Sequence, residues 1–244
     1  MTLDFNGRQV PIVGMGGSGM IVQCEGTAIK FALDSCIDGS YEDDETIRHE
    51  KSVYRRLKNC DGVVECLDHP GPGIQMVFME NGNLHDYLQR QRHAPPEALK
   101  LSWFRDMARH LAAIHDRRVV VADIKTRNFL LAADTSIRFS DFSESSLLAP
   151  DCDILTADDH GFSIYTDMGQ LGAVMYEVVT GERCDFDLFK DQPPGPAAAA
   201  WPRREHLPST QGVCLGGIID KCWTKAAFRT CHELSAALNS VGLG

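Results

Sequence analysis

Asp123, Lys125, Asn128 and Asp141 impose the strongest constraint on how this 244-residue chain folds. The first three share one short stretch, Asp123-Ile124-Lys125-Thr126-Arg127-Asn128, and Asp141 follows two short runs, Phe-Leu-Leu at 129–131 and Ile-Arg-Phe at 137–139. Those runs read as a small β-hairpin, which returns the chain to where it began. Asp141 is therefore expected beside Asp123 and Asn128. An Asp can accept a hydroxyl proton, and a Lys can neutralise a moving phosphate. An Asn with a second Asp can hold magnesium, a hard cation suited to oxygen ligands. The pattern fits phosphoryl transfer and demands a fold that closes a hairpin onto a loop.

The chain is long enough to bury a large core. A net charge of −10 argues against nonspecific nucleic-acid binding, which needs a basic surface, and against an acidic membrane. Nine cysteines without a Cys-x-x-Cys pair read as buried small hydrophobes in a reducing cytosol. The start Met1-Thr2-Leu3-Asp4 has no signal-peptide pattern, and neither end carries a lipidation motif. No apolar run is long enough for a membrane span. A cytoplasmic monomer is expected, with no nucleic-acid or membrane partner.

Hydrophobic periodicity predicts strands over 10–13, 21–24, 27–33, 63–67 and 74–79, and a helix over 40–59 whose acidic start suits the helix dipole. Beyond Leu84 the chain reads as mostly helical, over 84–91, 95–117, 165–180, 213–223 and 231–241. The proline-bearing stretch 191–208 reads as a loop.

Gly14, Gly16, Gly17 and Gly19, with Ile21 after them, form a G-x-G-x-x-G pattern that reads as a loop between two strands. A following strand disfavours a dinucleotide fold, which needs a helix there, and Met20-Ile21 excludes a Walker A loop. What remains is a hairpin whose glycines let phosphates approach the backbone. Lys30 lies between apolar residues on the next strand, after Ala28-Ile29. Glu50 is its best partner, because it lies mid-helix with Tyr54 and Leu57 on one inward face.

Together these motifs resemble the eukaryotic protein kinase catalytic domain, in that family's order, over nearly the whole chain. Cys222-Trp223 and the turn Asn81-Gly82-Asn83-Leu84 are most similar to its tyrosine-kinase-like serine/threonine group. The resemblance implies an α+β, bilobal fold with a β-rich N-terminal lobe over about 1–79, a hinge near 77–83 and a helical lobe over about 84–244. It implies ATP and Mg²⁺ as cofactors and a protein substrate. Asp123 becomes the acceptor of the hydroxyl proton and Lys125 the stabiliser of the transferring phosphoryl. Asn128 and Asp141 become metal ligands, and Lys30 with Glu50 fixes the nucleotide. Met76 becomes the gatekeeper, with backbone groups of Val77 and Met79 facing adenine. Asp167 is expected to tie down the backbone around Asp123.

Several positions depart from the family pattern. Val121 and Ala122 stand where it has His and Arg, and Ser143 stands where it has Gly. The Asp141–Asp167 span is short and lacks an Ala-Pro-Glu motif at the usual distance. Ala122 cannot meet a phosphate, so control by phosphorylation of this segment is not expected. Ser143 predicts a less mobile Asp141 motif, since positive φ costs Ser more than Gly. The expected activity is phosphoryl transfer to serine or threonine of proteins. The alternatives are an ATP-binding scaffold and a small-molecule phosphotransferase.

Overall fold

Alternating apolar residues in the first part of the chain build one antiparallel sheet. A computed structural model describes residues 2–5, 8–38, 41–67, 71–190 and 198–242. Strands β1 (Thr2–Phe5), β2 (Arg8–Gly16), β3 (Gly19–Cys24), β4 (Thr27–Phe31) and β5 (Ile74–Val77) lie in sequential order in the sheet. Side chains alternate between faces along each strand, and directly paired residues share a face. One face therefore carries Val10, Met20, Val22, Ile29 and Phe31, which pack as a small core with the short helix α1 (Leu33–Asp38) behind them.

Helix α2 (Glu45–Arg56) starts later than the 40–59 reading, and Ser40 lies outside the described residues. Asp44 caps it: its side chain accepts the Ile47 N–H at 2.7 Å. An Asp at this position satisfies an otherwise orphaned donor, so the acidic run became cap and first turn. The expected strand over 63–67 is not a strand. It makes only isolated bridges, Val63 to Phe139 and Cys66 to Met76, because two different sheets claim its ends.

Helices dominate the second part. The short strand β6 (Gly82–Asn83) leads into α3 (Leu84–Arg90) and the long α4 (Glu97–Asp116). Leu101, Phe104, Met107, Leu111 and Ile114 form the buried face of α4, as their helical spacing predicts. Strand β7 (Val119–Val120) precedes the Asp123 stretch. The hairpin β8 (Phe129–Leu131) and β9 (Ile137–Phe139) has the expected boundaries, and β10 (Ser146–Leu147) pairs with β7. Helix α5 (Ile164–Thr180) is buried on most sides and ends at Gly181, φ 77°, a left-handed cap. Helices α6 (Gly216–Cys222) and α7 (Cys231–Asn239) close the fold. Gly172 lets α6 approach α5, since a Cβ there would lie 2.7 Å from Cys222 Cβ. Of the predicted loop over 191–208, residues 191–197 lie outside the described ones; the rest is irregular apart from a 3-10 turn, Arg204–His206. The result is the expected α+β arrangement, with an antiparallel sheet first and helices after. No helix among the described residues is long and apolar enough to cross a membrane.

One buried group links this core to pH. The His110 ring is 1% exposed, and its Nε2 accepts from Arg109 Nη2 at 2.7 Å. The neutral ring therefore carries its proton on Nδ1. Burial first, and then the adjacent guanidinium, lower its pKa from 6.5 to about 4. A depressed folded-state pKa stabilises the fold above the unfolded value, and that stability is lost as pH falls from 6.5 through 4. The loss expected from this site is about 3 kcal/mol. Urea unfolding at pH 7 and pH 4 should show His110→Phe losing less than wild type by about that amount. Equal losses would contradict it.

Candidate active site

The pairing register of the sheet assembles the first half of the site. Ile21 pairs with Lys30, and Ala28 with Met76. These four residues therefore share the sheet face opposite the small core. Val77 and Met79 follow at the end of β5. The Val77 N–H donates to Glu65 O at 3.0 Å, so only its carbonyl is left to meet a ligand, whereas the expectation involved its backbone in general.

The glycine stretch is a hairpin rather than an open loop. Gly14, Met15 and Gly16 pair with Ile21, Met20 and Gly19, leaving Gly17-Ser18 as the turn. A Cβ at Gly16 or Gly17 would meet no protein atom within 4 Å, and neither residue has a positive φ. Neither packing nor conformation therefore requires glycine there. The open side of the turn leaves room for a ligand to approach the backbone.

Lys30 and Glu50 meet in the interior. Lys30 Nζ lies 2.7 Å from Glu50 Oε2 and 2.7 Å from Asp141 Oδ1, and Lys30 and Glu50 are 2% and 0% exposed. Burial alone would lower the Lys30 pKa. The carboxylates of Glu50 and then Asp141 outweigh it, and the pKa is raised. Burial likewise opposes ionisation of Asp141, but Lys30 and the hydroxyls of Ser143 and Ser18 hold its pKa below the ordinary value. Two carboxylates around one ammonium leave a net negative site, which favours a cation. Glu50 Oε1 also accepts the Phe142 N–H at 3.0 Å. Phe142 is fully buried, edge-on to Tyr54 at 5.2 Å, so its ring packs inward against α2.

The β8–β9 hairpin brings Asp141 back toward the Asp123 stretch. Asp123 Oδ2 accepts from Lys125 Nζ at 2.6 Å and from Asn128 Nδ2 at 2.9 Å. Asn128 turns its amide nitrogen to Asp123, which leaves its oxygen for another ligand. No cluster of three His, Cys, Asp or Glu among the described residues forms a complete metal site. Asn128 and Asp141 offer oxygen donors of the kind magnesium takes, and water or ligand oxygens would complete its shell.

Asp167 fixes the backbone before Asp123. Its carboxylate, 0% exposed, accepts the N–H groups of Val121 and Ala122, each at 2.8 Å, and His115 Nε2 at 2.8 Å. Ala122 has φ 67°, a conformation costly for a residue with Cβ. Gln170 overcomes that cost with Asp167, by donating to Ala122 O and accepting from Ile124 N. Sequence reading missed Gln170, Ser18 and His115. Gln170 was detectable, because it lies three residues after Asp167 on the same face of α5. Arg229 is exposed, and its backbone N–H donates to Glu233. A cavity of about 420 Å³ opens beside Asp123 and Lys125, against Gln170, Glu177 and Phe186.

Residues 8–187 match the protein kinase domain family model. The chain belongs to this family. Protein kinase C zeta type from Oryctolagus cuniculus is 26% identical to this kinase domain over 173 residues, 62% of this chain and 28% of that protein. Tyrosine-protein kinase TXK from Mus musculus is 25% identical over 194 residues, 72% of this chain and 36% of the relative. A probable serine/threonine-protein kinase from Dictyostelium discoideum is 26% identical over 195 residues, 69% and 38% of the two chains. This kinase domain thus spans only about a third of these relatives' length.

Proposed function

We propose that this kinase domain transfers the γ-phosphoryl group of ATP, with Mg²⁺, to serine or threonine hydroxyls of proteins. The observation that carries the reading is the linked set Glu50–Lys30–Asp141, together with Asp123 held by Lys125 and Asn128. Oδ2 of Asp123 has two donors, so Oδ1 faces the acceptor hydroxyl and takes its proton. Lys125 then neutralises charge on the transferring group. Lys30, held by Glu50, grips the nucleotide phosphates, and the open space at Gly16 and Gly17 lets the hairpin backbone cover them. Magnesium, held by Asn128 and Asp141, supplies charge neutralisation at the phosphates. Met76 borders the adenine position, with Val77 O and Met79 backbone groups beside it. The cavity beside Asp123 supports a peptide acceptor. Serine/threonine preference rests on Lys125, which is similar to the pattern of that group. The hinge near 77–83, the lobe division, a monomeric state and a cytoplasmic setting belong to the same proposal. The nine cysteines, without a Cys-x-x-Cys pair, suit a reducing setting.

Mg-ATP should raise the melting temperature, since a ligand that binds only the folded state stabilises it by about 2.7 kcal/mol at a hundred times its Kd. Lys30→Ala and Asp141→Ala should each abolish that shift. Lys30→Ala should also lower the baseline by about 3–5 kcal/mol, because Glu50 is left buried and unpaired, so the decisive reading is the shift itself. A shift retained in both variants would overturn the assignment of the nucleotide site. A lost shift in both, with wild type transferring no phosphate from ATP to any Ser, Thr or Tyr peptide, would favour the scaffold reading.

A further inference from the structure

Helix α2 reaches the segment after Asp141 at three places. Glu50 accepts the Phe142 N–H in the middle. Beside it, His49 Nε2 lies 2.7 Å from Ser145 O. A carbonyl only accepts, so Nε2 carries the proton. In the last turn, Arg56 Nη1 donates to Leu148 O and to Arg117 O, each at 3.3 Å. His49, Val53 and Arg56 form one stripe of α2, next to the Glu50, Tyr54 and Leu57 stripe.

The far edge of the same segment is tied to the residues before Asp123. Ser145 Oγ donates to Val121 O at 3.0 Å, β10 pairs with β7, and Leu148 N donates to Arg118 O at 2.9 Å. Arg118 Nε in turn donates to Cys152 O at 3.1 Å. The segment from Ser145 to Cys152 thus lies between α2 and the stretch leading to Asp123. The acceptors of His49, Arg56 and Arg118 are all main-chain carbonyls. They exist whenever the chain is folded and need no added phosphate.

We propose that His49 and Arg56 are positioning residues that staple α2 to this segment, so that Lys30–Glu50 stays assembled without a phosphorylated residue. They act through Glu50 and touch no substrate. This gives a physical basis for activity with Ala122 in place of a phosphate-binding Arg. The kinetic part of the proposal rests on the phosphoryl-transfer reading; its structural part does not.

The test compares wild type with His49→Leu, Arg56→Met, their double variant and His49→Gln. Amide hydrogen exchange of α2 in the free protein is read beside steady-state kinetics, below the melting point of every variant. In the double variant α2 amides should exchange about tenfold faster, and kcat should fall about tenfold, with KM for the protein substrate unchanged. His49→Gln keeps a donor of similar reach and should behave as wild type, a rescue that a general loss of packing would not give. Phosphatase treatment should leave wild-type kcat unchanged. Unaltered α2 exchange in the double variant would overturn the staple, as would failure of His49→Gln to rescue or loss of wild-type turnover after phosphatase. If wild type has no Asp123-dependent turnover, the phosphoryl-transfer reading fails, and α2 exchange still decides the staple.

Discussion

Replacing Asp123 with Asn is expected to lower kcat by about 10²–10⁴-fold, the usual contribution of a positioned proton acceptor. Asn has nearly the same shape. Its oxygen still accepts from Lys125 and Asn128, as Oδ2 of Asp123 does at 2.6 and 2.9 Å. The loop should therefore hold its geometry, while the group facing the acceptor becomes an amide that takes no proton. Binding should survive, because the nucleotide contacts assigned to Lys30 and the glycine hairpin are untouched. Steady-state kinetics on Ser/Thr peptides and the Mg-ATP thermal shift check this together. The expected result is a collapsed kcat, a little-changed KM and a retained shift. A kcat within tenfold of wild type would remove Asp123 from the proposed role.

The second large effect is on stability. Asp167→Ala should cost about 3–9 kcal/mol, because each buried donor left without an acceptor costs about 1–3 kcal/mol. Three donors lose their partner: the N–H groups of Val121 and Ala122, and His115 Nε2. Whole domains are stable by only about 5–15 kcal/mol, so the variant is expected near the edge of folding. Asp167→Asn keeps one acceptor oxygen and should fall between the two. Urea unfolding measures the loss. Turnover of the Asn variant should also drop, since the left-handed turn at Ala122, φ 67°, is held by Asp167 together with Gln170. An Asp167→Ala loss under 1 kcal/mol would mean that water or a shifted loop replaces the carboxylate.

Much of the local structure was readable from residue order. The β8–β9 hairpin and α5 with its Gly181 cap depend on nearest-neighbour rules of alternation, helical spacing and capping, and they came out where expected. Glu50 faces Lys30, at 2.7 Å, for a similar reason, since Glu50 and Tyr54 lie on one face of α2 whatever surrounds it. Other elements were not readable. Residues 63–67 look like a strand by composition, but β9 and β5 compete for their ends and neither forms a ladder. Strand β1 has only four residues, and it is defined by its partner β2.

The sequence by itself determined which chemical groups are present and in what order: the glycines, Lys30, Glu50, Asp123, Lys125, Asn128 and Asp141. It also determined, by period, which way Lys30 faces from its strand and Glu50 from its helix. Only the tertiary structure decided how α2 and the segment after Asp141 meet. It joined His49 to Ser145, Arg56 to Leu148 and Asp167 to Val121 and Ala122. Those bonds end on backbone groups, which every residue carries, so no side-chain pattern announces them.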